Sequence, residues 1–405
     1  MKNNIIIKKI NIVLSVLFLY SCIDQMQDAG DAKKVTPVRG TVTIQVNTGF
    51  VTKAGDPGFP TEGLRAVFNN FSENFTKEGI VDERGIVSID SLIPGIYSVN
   101  VSGKVDYNGQ DYYLNGAVSN VSIFEDITEE DAIENNKKVP SINIRPAKVG
   151  PLCFREIYYC GVTPYYFRDQ TYEIYNNGDE VFYLDSLCFA QLEPNVATAT
   201  LPVWPDEDGV DNYVYGIVVW QISGSGKDYP LQPGESFLIV QEARDHRVNN
   251  ASSFDNSMAE WEAWSGNAGR DNPEVPNIAY VFWDKPNTMQ WLTSVFGAAF
   301  CIYKMDTPFD PNNWQTQGNK TQRFMKIAAG DVMDGVELLP NMFSFDMKRI
   351  PGFVDAGGTS VGATYCGKSV CRKVTGYRED GTPLYQDTNN PICNLNNQHC
   401  QCDSN

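Results

Sequence analysis

The chain has 405 residues, with 32 Lys and Arg against 50 Asp and Glu, for a net charge of −18. That acidity excludes a phosphate-backbone binder, which needs clustered cations, and the two histidines, His246 and His399, exclude a multi-histidine metal centre. A hydrophobic fraction of 42% excludes wholesale disorder, and the length allows two or three domains.

Residues 1–22 carry Lys2, Lys8 and Lys9, then an apolar run over 10–19 that is too short to span a bilayer. The run ends in Leu19-Tyr20-Ser21-Cys22, which resembles a bacterial lipobox. The expectation is a signal peptide over 1–21 and a Cys22 thiol that receives lipid, with acyl chains such as palmitate anchoring a soluble domain. Residues 22–37 are polar, with few apolar anchors, and read as a flexible tether.

From Gly40 onward β-branched and aromatic residues alternate with period two, punctuated by Gly, Asn, Pro and Asp, as in a sandwich. The stretch 80–103 places the turn Asp82-Glu83-Arg84-Gly85 before one strand and Pro94-Gly95 before the next. With Leu92, Pro94, Gly95 and Tyr97 it resembles carboxypeptidase-regulatory-like modules, which implies a non-catalytic spacer over 38–148. The acidic run 125–134 lacks the alternating oxygens of a calcium loop and reads as a solvated connection.

After Gly150-Pro151, Glu156 opens a strand, Tyr172-Glu173-Ile174-Tyr175-Asn176 forms a second, and Asn177-Gly178 signals a hairpin into a third over 181–187. Leu231-Gln232-Pro233-Gly234-Glu235 then feeds a buried strand, and Gly367, Ser369 and Arg372 follow late in the chain. In that order these phrases resemble a lamin-tail-type immunoglobulin-like sandwich over 149–405. The whole chain is similar to a family of Bacteroidota lipoproteins in which such a tail follows a regulatory-like module. The resemblance implies a lipid-anchored outer-membrane protein at the cell surface, associated with TonB-dependent uptake, and no assigned activity. The expected fold is mainly β: two β-sandwich, immunoglobulin-like domains, the second with long loop and helical insertions at about 200–340. Helices are expected at 256–264, capped by Asn256 or Ser257, and at 321–329.

All seven tryptophans fall in the inserted region. Trp204, Trp220, Trp261, Trp264 and Trp283 are the candidate ligand platform, against the alternative that they form its core. Asp206, Asp208 and Asp211 crowd a glycine turn and are the candidate calcium ligands, against the alternative of a plain acidic turn with no cofactor. Cys153, Cys160, Cys188, Cys301, Cys366, Cys371, Cys393, Cys400 and Cys402 remain after Cys22, an odd number for which disulfides are the default outside the cytoplasm. The alternative to disulfides for Cys393, His399, Cys400 and Cys402 is a soft-metal site, although their spacing is not that of a zinc finger. Gly358-Thr359-Ser360-Val361-Gly362 matches a hydrolase elbow in letters only, since no strand–helix series surrounds it, and Gly224–Lys227 lacks phosphate-loop spacing.

The reading is a non-enzymatic outer-membrane lipoprotein that binds a ligand or serves TonB-dependent nutrient uptake, its partners being membrane lipid and an outer-membrane transporter. The alternatives are a glycan- or peptide-degrading surface hydrolase, with Asp206, Asp208, Asp245 and Glu262 as available carboxylates, and a structural or adhesive protein.

Overall fold

The computed structural model describes residues 41–47, 58–107, 109–133, 139–147, 150–205, 212–286, 290–305, 307–352, 354–355 and 357–386. Cys22, the tether, the candidate calcium ligands Asp206, Asp208 and Asp211, and the cysteines from Cys393 onward lie outside these residues. The described chain is mainly β.

The N-terminal part contains β1 (Thr41–Asn47), β2 (Arg65–Asn70), β3 (Phe75–Ile80), β4 (Ile86–Asp90), β5 (Gly95–Tyr107), β6 (Gln110–Ile123), a short helix α1 (Glu129–Ile133), β7 (Ser141–Asn143) and β8 (Arg145–Ala147). A three-stranded sheet β4-β1-β7 faces a five-stranded sheet β3-β2-β5-β6-β8. Val87, Ile89 and Ile142 from the first sheet meet Phe68, Val99, Val101 and Leu114 from the second, the period-two residues of each strand. The two sequence phrases have local causes. Asp82 Oδ1 accepts from Arg84 N and Ile86 N, both at 2.9 Å, and Gly85 takes φ 76° where a Cβ would strike the Val46 carbonyl. Leu92 is buried, and the Tyr97 hydroxyl donates to Ile93 O at 2.6 Å, tying the hairpin entry to its own strand.

The C-terminal part begins with β9 (Leu152–Tyr158), β10 (Thr171–Asn176), β11 (Phe182–Tyr183), β12 (Cys188–Leu192), β13 (Tyr213–Gln221), β14 (Pro230–Leu231) and β15 (Ser236–Val240). It continues with β16 (Trp261–Ala263), β17 (Asn277–Trp283), β18 (Ala299–Tyr303), β19 (Trp314–Thr316), β20 (Arg323–Ala328), β21 (Val332–Glu337), β22 (Val370–Cys371), β23 (Val374–Tyr377) and β24 (Pro383–Tyr385). One hydrogen-bonded path runs β21-β18-β12-β13-β17-β16-β15-β10-β9-β22 and doubles over on itself. Phe154, Tyr172 and Ile174 of one limb thereby face Phe189, Trp220 and Phe300 of the other. In β12 and β18 the alternate residues Cys188, Ala190, Ala299 and Cys301 face a second cluster with Ile350 and Val354, so both strands are buried on two faces. The seam between the limbs is β16, parallel to both β15 and β17, with two residue pairs on each side.

Three local expectations differ from the structure. Residues 256–264 form a turn and then β16, not a helix: Trp261 and Ala263 alternate into the core, and Glu260 Oε2 accepts from Leu238 N at 2.8 Å instead of capping a helix. Residues 323–328 are strand β20, with Met325 and Ile327 on one buried face. Among the described residues, the helical content of the inserted region is 3-10 turns such as His246–Val248 and Ala329–Asp331. The Asn177-Gly178 turn does not close a β10–β11 hairpin, because β11 pairs with β14. The Asn176 carboxamide is buried and donates to Glu180 O and Leu231 O, both at 2.9 Å, turning the chain out of its sheet.

The two parts touch. Phe71 stacks on Phe345 with centroids 5.4 Å apart, Arg145 Nη1 donates to Asn212 Oδ1 at 3.1 Å, and Gly352 lies flat against the backbone of Ala117. Among the described residues no helix is long and apolar enough to cross a membrane.

Candidate functional site

The structure separates the tryptophans. Trp220 is fully buried, with Trp261 and Trp291 in the same main core. Trp204 is buried in a satellite cluster, its ring parallel to Tyr215 at 3.6 Å. Trp283 is half-buried, edge-on to Trp220. These five are packing residues. Of the five platform candidates, Trp264 is the exposed one, at 38%, where the chain leaves β16; Trp314, outside the candidate set, is as exposed.

Trp264 lines a cleft at the seam, with Gln241, Glu262, Arg270 and Gln290. The cleft encloses about 190 Å³, counting space open to solvent. Its enclosed part has room for about one water molecule, far below the ~300–1,000 Å³ that hold a small-molecule ligand. The parallel seam creates it: β15 and β16 end side by side, and the polar residues just beyond them, Gln241-Glu242 and Trp264-Ser265, converge. Glu242 is almost fully buried and sits among three guanidinium groups. Arg244 Nε lies 3.0 Å from its Oε2, Arg168 Nη1 lies 3.7 Å from its Oε1, and Arg270 Nη1 donates to Oε1. Arg168 Nη1 also donates to Gln290 Oε1. Glu262 Oε1 accepts from Ala243 N at 2.8 Å and its Oε2 from Asn272 N at 2.9 Å. Burial pushes the Glu262 carboxyl above its ordinary value, assisted by Asp271 and Glu242 and opposed by those two backbone donors.

Behind the cleft, Gln241 Nε2 donates to Gln170 Oε1, which also accepts from Thr293 Oγ1 at 2.6 Å. Gln170 Nε2 donates to Tyr159 O at 2.7 Å. Among the described residues, Glu242 Oε2, in ion-pair reach of Arg244, and two amide atoms beside the cleft are buried without a hydrogen-bond partner, the amide atoms being the acceptor Gln241 Oε1 and the donor Gln290 Nε2. Both side chains line the cleft. A buried unpaired amide group costs ~1–3 kcal/mol, so a partner there is favoured. Sequence reasoning singled out Glu262 and Trp264 but missed Gln241, Glu242, Arg270 and Gln290. Its only available signal was a pair of polar residues directly following an apolar strand.

The other sequence motifs are structural. Ser360 Oγ accepts from Gly362 N at 2.9 Å within a loop whose Thr359 bridges Leu338, so no nucleophile elbow forms. His246 is buried, its Nδ1 2.6 Å from the Tyr166 hydroxyl and its Nε2 3.0 Å from Glu242 O. Asp245 pairs with Arg247 at 2.7 Å and caps a 3-10 turn. The Gly224–Lys227 loop holds no room for phosphate: the Asp185 carboxylate already accepts from Gly226 N, Asp228 N and Tyr229 N at 2.8–3.1 Å. Burial would raise the Asp185 carboxyl, but those donors hold it below the ordinary value. Ser369 Oγ donates to Glu156 Oε1, and Arg372 grips Asp334 with Nη2 at 2.6 and 2.8 Å. Among the described residues, no three of His, Cys, Asp and Glu are grouped to hold a metal.

No curated protein matches the chain. Two solved structures align over 71% of it at low identity: the TIE protein of Bacillus anthracis (11%, 31% of that chain, TM-score 0.16) and the major pilin SpaD of Corynebacterium diphtheriae (10%, 91% of that chain, TM-score 0.17). Scores so low carry no argument. A family model described as a protein of unknown function, DUF4876, matches residues 232–400, which include the seam and the cleft. The crystal structure of a DUF4876 family protein from Bacteroides thetaiotaomicron is 36% identical, covering 87% of this chain and 93% of that one, with a TM-score of 0.56. With that identity over nearly the full length of both chains, this protein belongs to the DUF4876 family.

Proposed function

We propose that this protein is an outer-membrane lipoprotein, acylated at Cys22, that binds a polar ligand as an accessory to TonB-dependent nutrient uptake. In this reading the tether gives reach, residues 38–148 form a regulatory-like riser, and the lamin-tail-like part over 149–405 makes contact. The observation that carries the binding role is the pair of buried amide groups, Gln241 Oε1 and Gln290 Nε2, without partners in side chains that line the cleft with Arg270 and the partly exposed Trp264. One acceptor, one donor and an indole face suit a hydroxyl- or amide-bearing edge, as on a glycan or a peptide. Binding is preferred to hydrolysis because both Glu262 oxygens accept backbone N–H groups and Glu242 is clasped by arginines. Neither carboxylate is placed as a free acid or nucleophile.

The test is a mild-detergent pull-down of the tagged lipoprotein from native membranes at low salt, followed by mass spectrometry. Stoichiometric recovery of a TonB-dependent barrel is the expected result, and recovery of the lipoprotein alone sinks the accessory role. Radiolabelled palmitate that still enters the Cys22→Ser chain would sink the anchoring site.

A further inference from the structure

Cys160 follows β9 and Cys366 precedes β22, yet their sulfurs lie 3.4 Å apart across 206 positions of sequence. The backbone around them is already joined. Tyr365 N donates to Cys160 O at 2.7 Å, Gly367 N donates to Gly161 O at 3.0 Å, and Val162 bridges Cys366. A disulfide needs its sulfurs at about 2.05 Å, so closing the gap takes ~1.4 Å shared between two side chains while the backbone stays paired. The two sulfurs differ in access. Cys160 is fully buried, its Sγ 3.2 Å from both Gly161 O and Lys368 O, whereas Cys366 is half-buried. Burial pushes the Cys160 thiol up to about 11, so it is the poorer first nucleophile.

We propose that Cys160 and Cys366 are the site of an intrachain disulfide, formed by exchange with an external disulfide such as glutathione disulfide or that of a thiol oxidase. The Cys366 thiolate attacks the external disulfide, forms a mixed disulfide and expels one thiolate. Cys160 then gives up its proton and attacks Cys366 Sγ, expelling the second. Two protein S–H bonds become one S–S bond, and the external disulfide is reduced to two thiols. The cross-link fastens the end of β9 to the segment before β22. There Tyr165 and Tyr365, both at positive φ (59° and 54°), hold their rings edge-to-face at 5.2 Å. Tyr165 is 78% exposed, and a covalent tie beneath it would keep this strained aromatic tip in one conformation. The inference is independent of the ligand-binding reading and needs only an oxidising partner.

The experiment exposes the reduced, purified full chain to glutathione disulfide, blocks remaining thiols with N-ethylmaleimide and maps the unreduced digest by mass spectrometry. The expected product is the Cys160 peptide joined to the Cys366 peptide, two hydrogens lighter than their sum and separated by dithiothreitol. Maleimide or glutathione on both residues, or either residue joined to a different cysteine, would overturn the proposal. Dithiothreitol should lower the Tm of the oxidised chain by roughly 5 °C or more. The same fall persisting in Cys366→Ser would assign the effect to another pair and equally overturn it.

Discussion

Arg372 is buried and reaches four groups: both Asp334 oxygens, Phe154 O through Nε at 3.0 Å and Gln386 O through Nη1 at 3.1 Å. It joins β22 to β9 and β21, and replacing it with Met strands a buried carboxylate. We expect Arg372→Met to lose ~3–5 kcal/mol in urea denaturation, and Arg372→Met with Asp334→Leu to recover part of that. A loss below about 1 kcal/mol in the single variant would contradict the burial of the pair. Asp355 makes a pH prediction. Burial first, with like charges on Glu337 and Asp334, pushes it up to about 7 despite Lys348 at 4.0 Å, against 3.8 for the unburied group. The native chain therefore holds a proton between about pH 4 and 7 that the unfolded chain has released. This contribution to stability is complete below pH 4 and is lost as pH rises through 7. The urea midpoint of the wild type should fall relative to that of Asp355→Asn between pH 5 and 8, and parallel curves would refute the assignment. The sequence exposed Arg372 through its Gly-x-Ser-x-x-Arg phrase. It could not expose Asp334, 38 residues away, because the partnership is made by the fold and not by spacing.

At the scale of the element, Trp261 and Trp264 sit three residues apart and do different work. An α-helix would have put them on one face; as a strand, β16 sends Trp261 inward and releases Trp264 at its end. Trp261→Ala should cost ~3–5 kcal/mol, and Trp264→Ala less than ~1 kcal/mol while weakening ligand capture. Equal Tm losses for the two variants would count against the distinction. The loop at Gly224–Lys227 gives a parallel case. Asp185→Ala strips the acceptor from three backbone N–H groups, with an expected loss of ~1–3 kcal/mol by thermal melting. Strand alternation was legible at β4, where Val87 and Ile89 are buried and Ser88 and Asp90 are exposed, as the local pattern has them. It was illegible at β16 and β20, where helix-compatible residues such as Met, Ala and Glu are drawn into a strand by the partners on either side.

At the scale of the whole molecule, the two parts meet through Phe71 on Phe345 and Gly352 on Ala117. A Cβ at Gly352 would stand 2.7 Å from Ala117 N, which no side chain can relieve by rotating. Gly352→Leu should therefore loosen the junction, seen as a larger radius of gyration in X-ray scattering and two calorimetric transitions, and an unchanged radius would argue against it. Two mainly β bodies were readable from periodicity, but their contact was not, since it depends on a flat glycine and two distant phenylalanines. The seam at β16 has one more consequence. Three residues with two pairs on each side are the narrowest crossing between the limbs, so their amides should exchange with deuterium ahead of the strands they join. The cleft opens directly beside them. A molecule seated there would bridge β15's end to β16's and slow that exchange, so a panel of unlabelled candidates can be ranked by how far each quiets the seam.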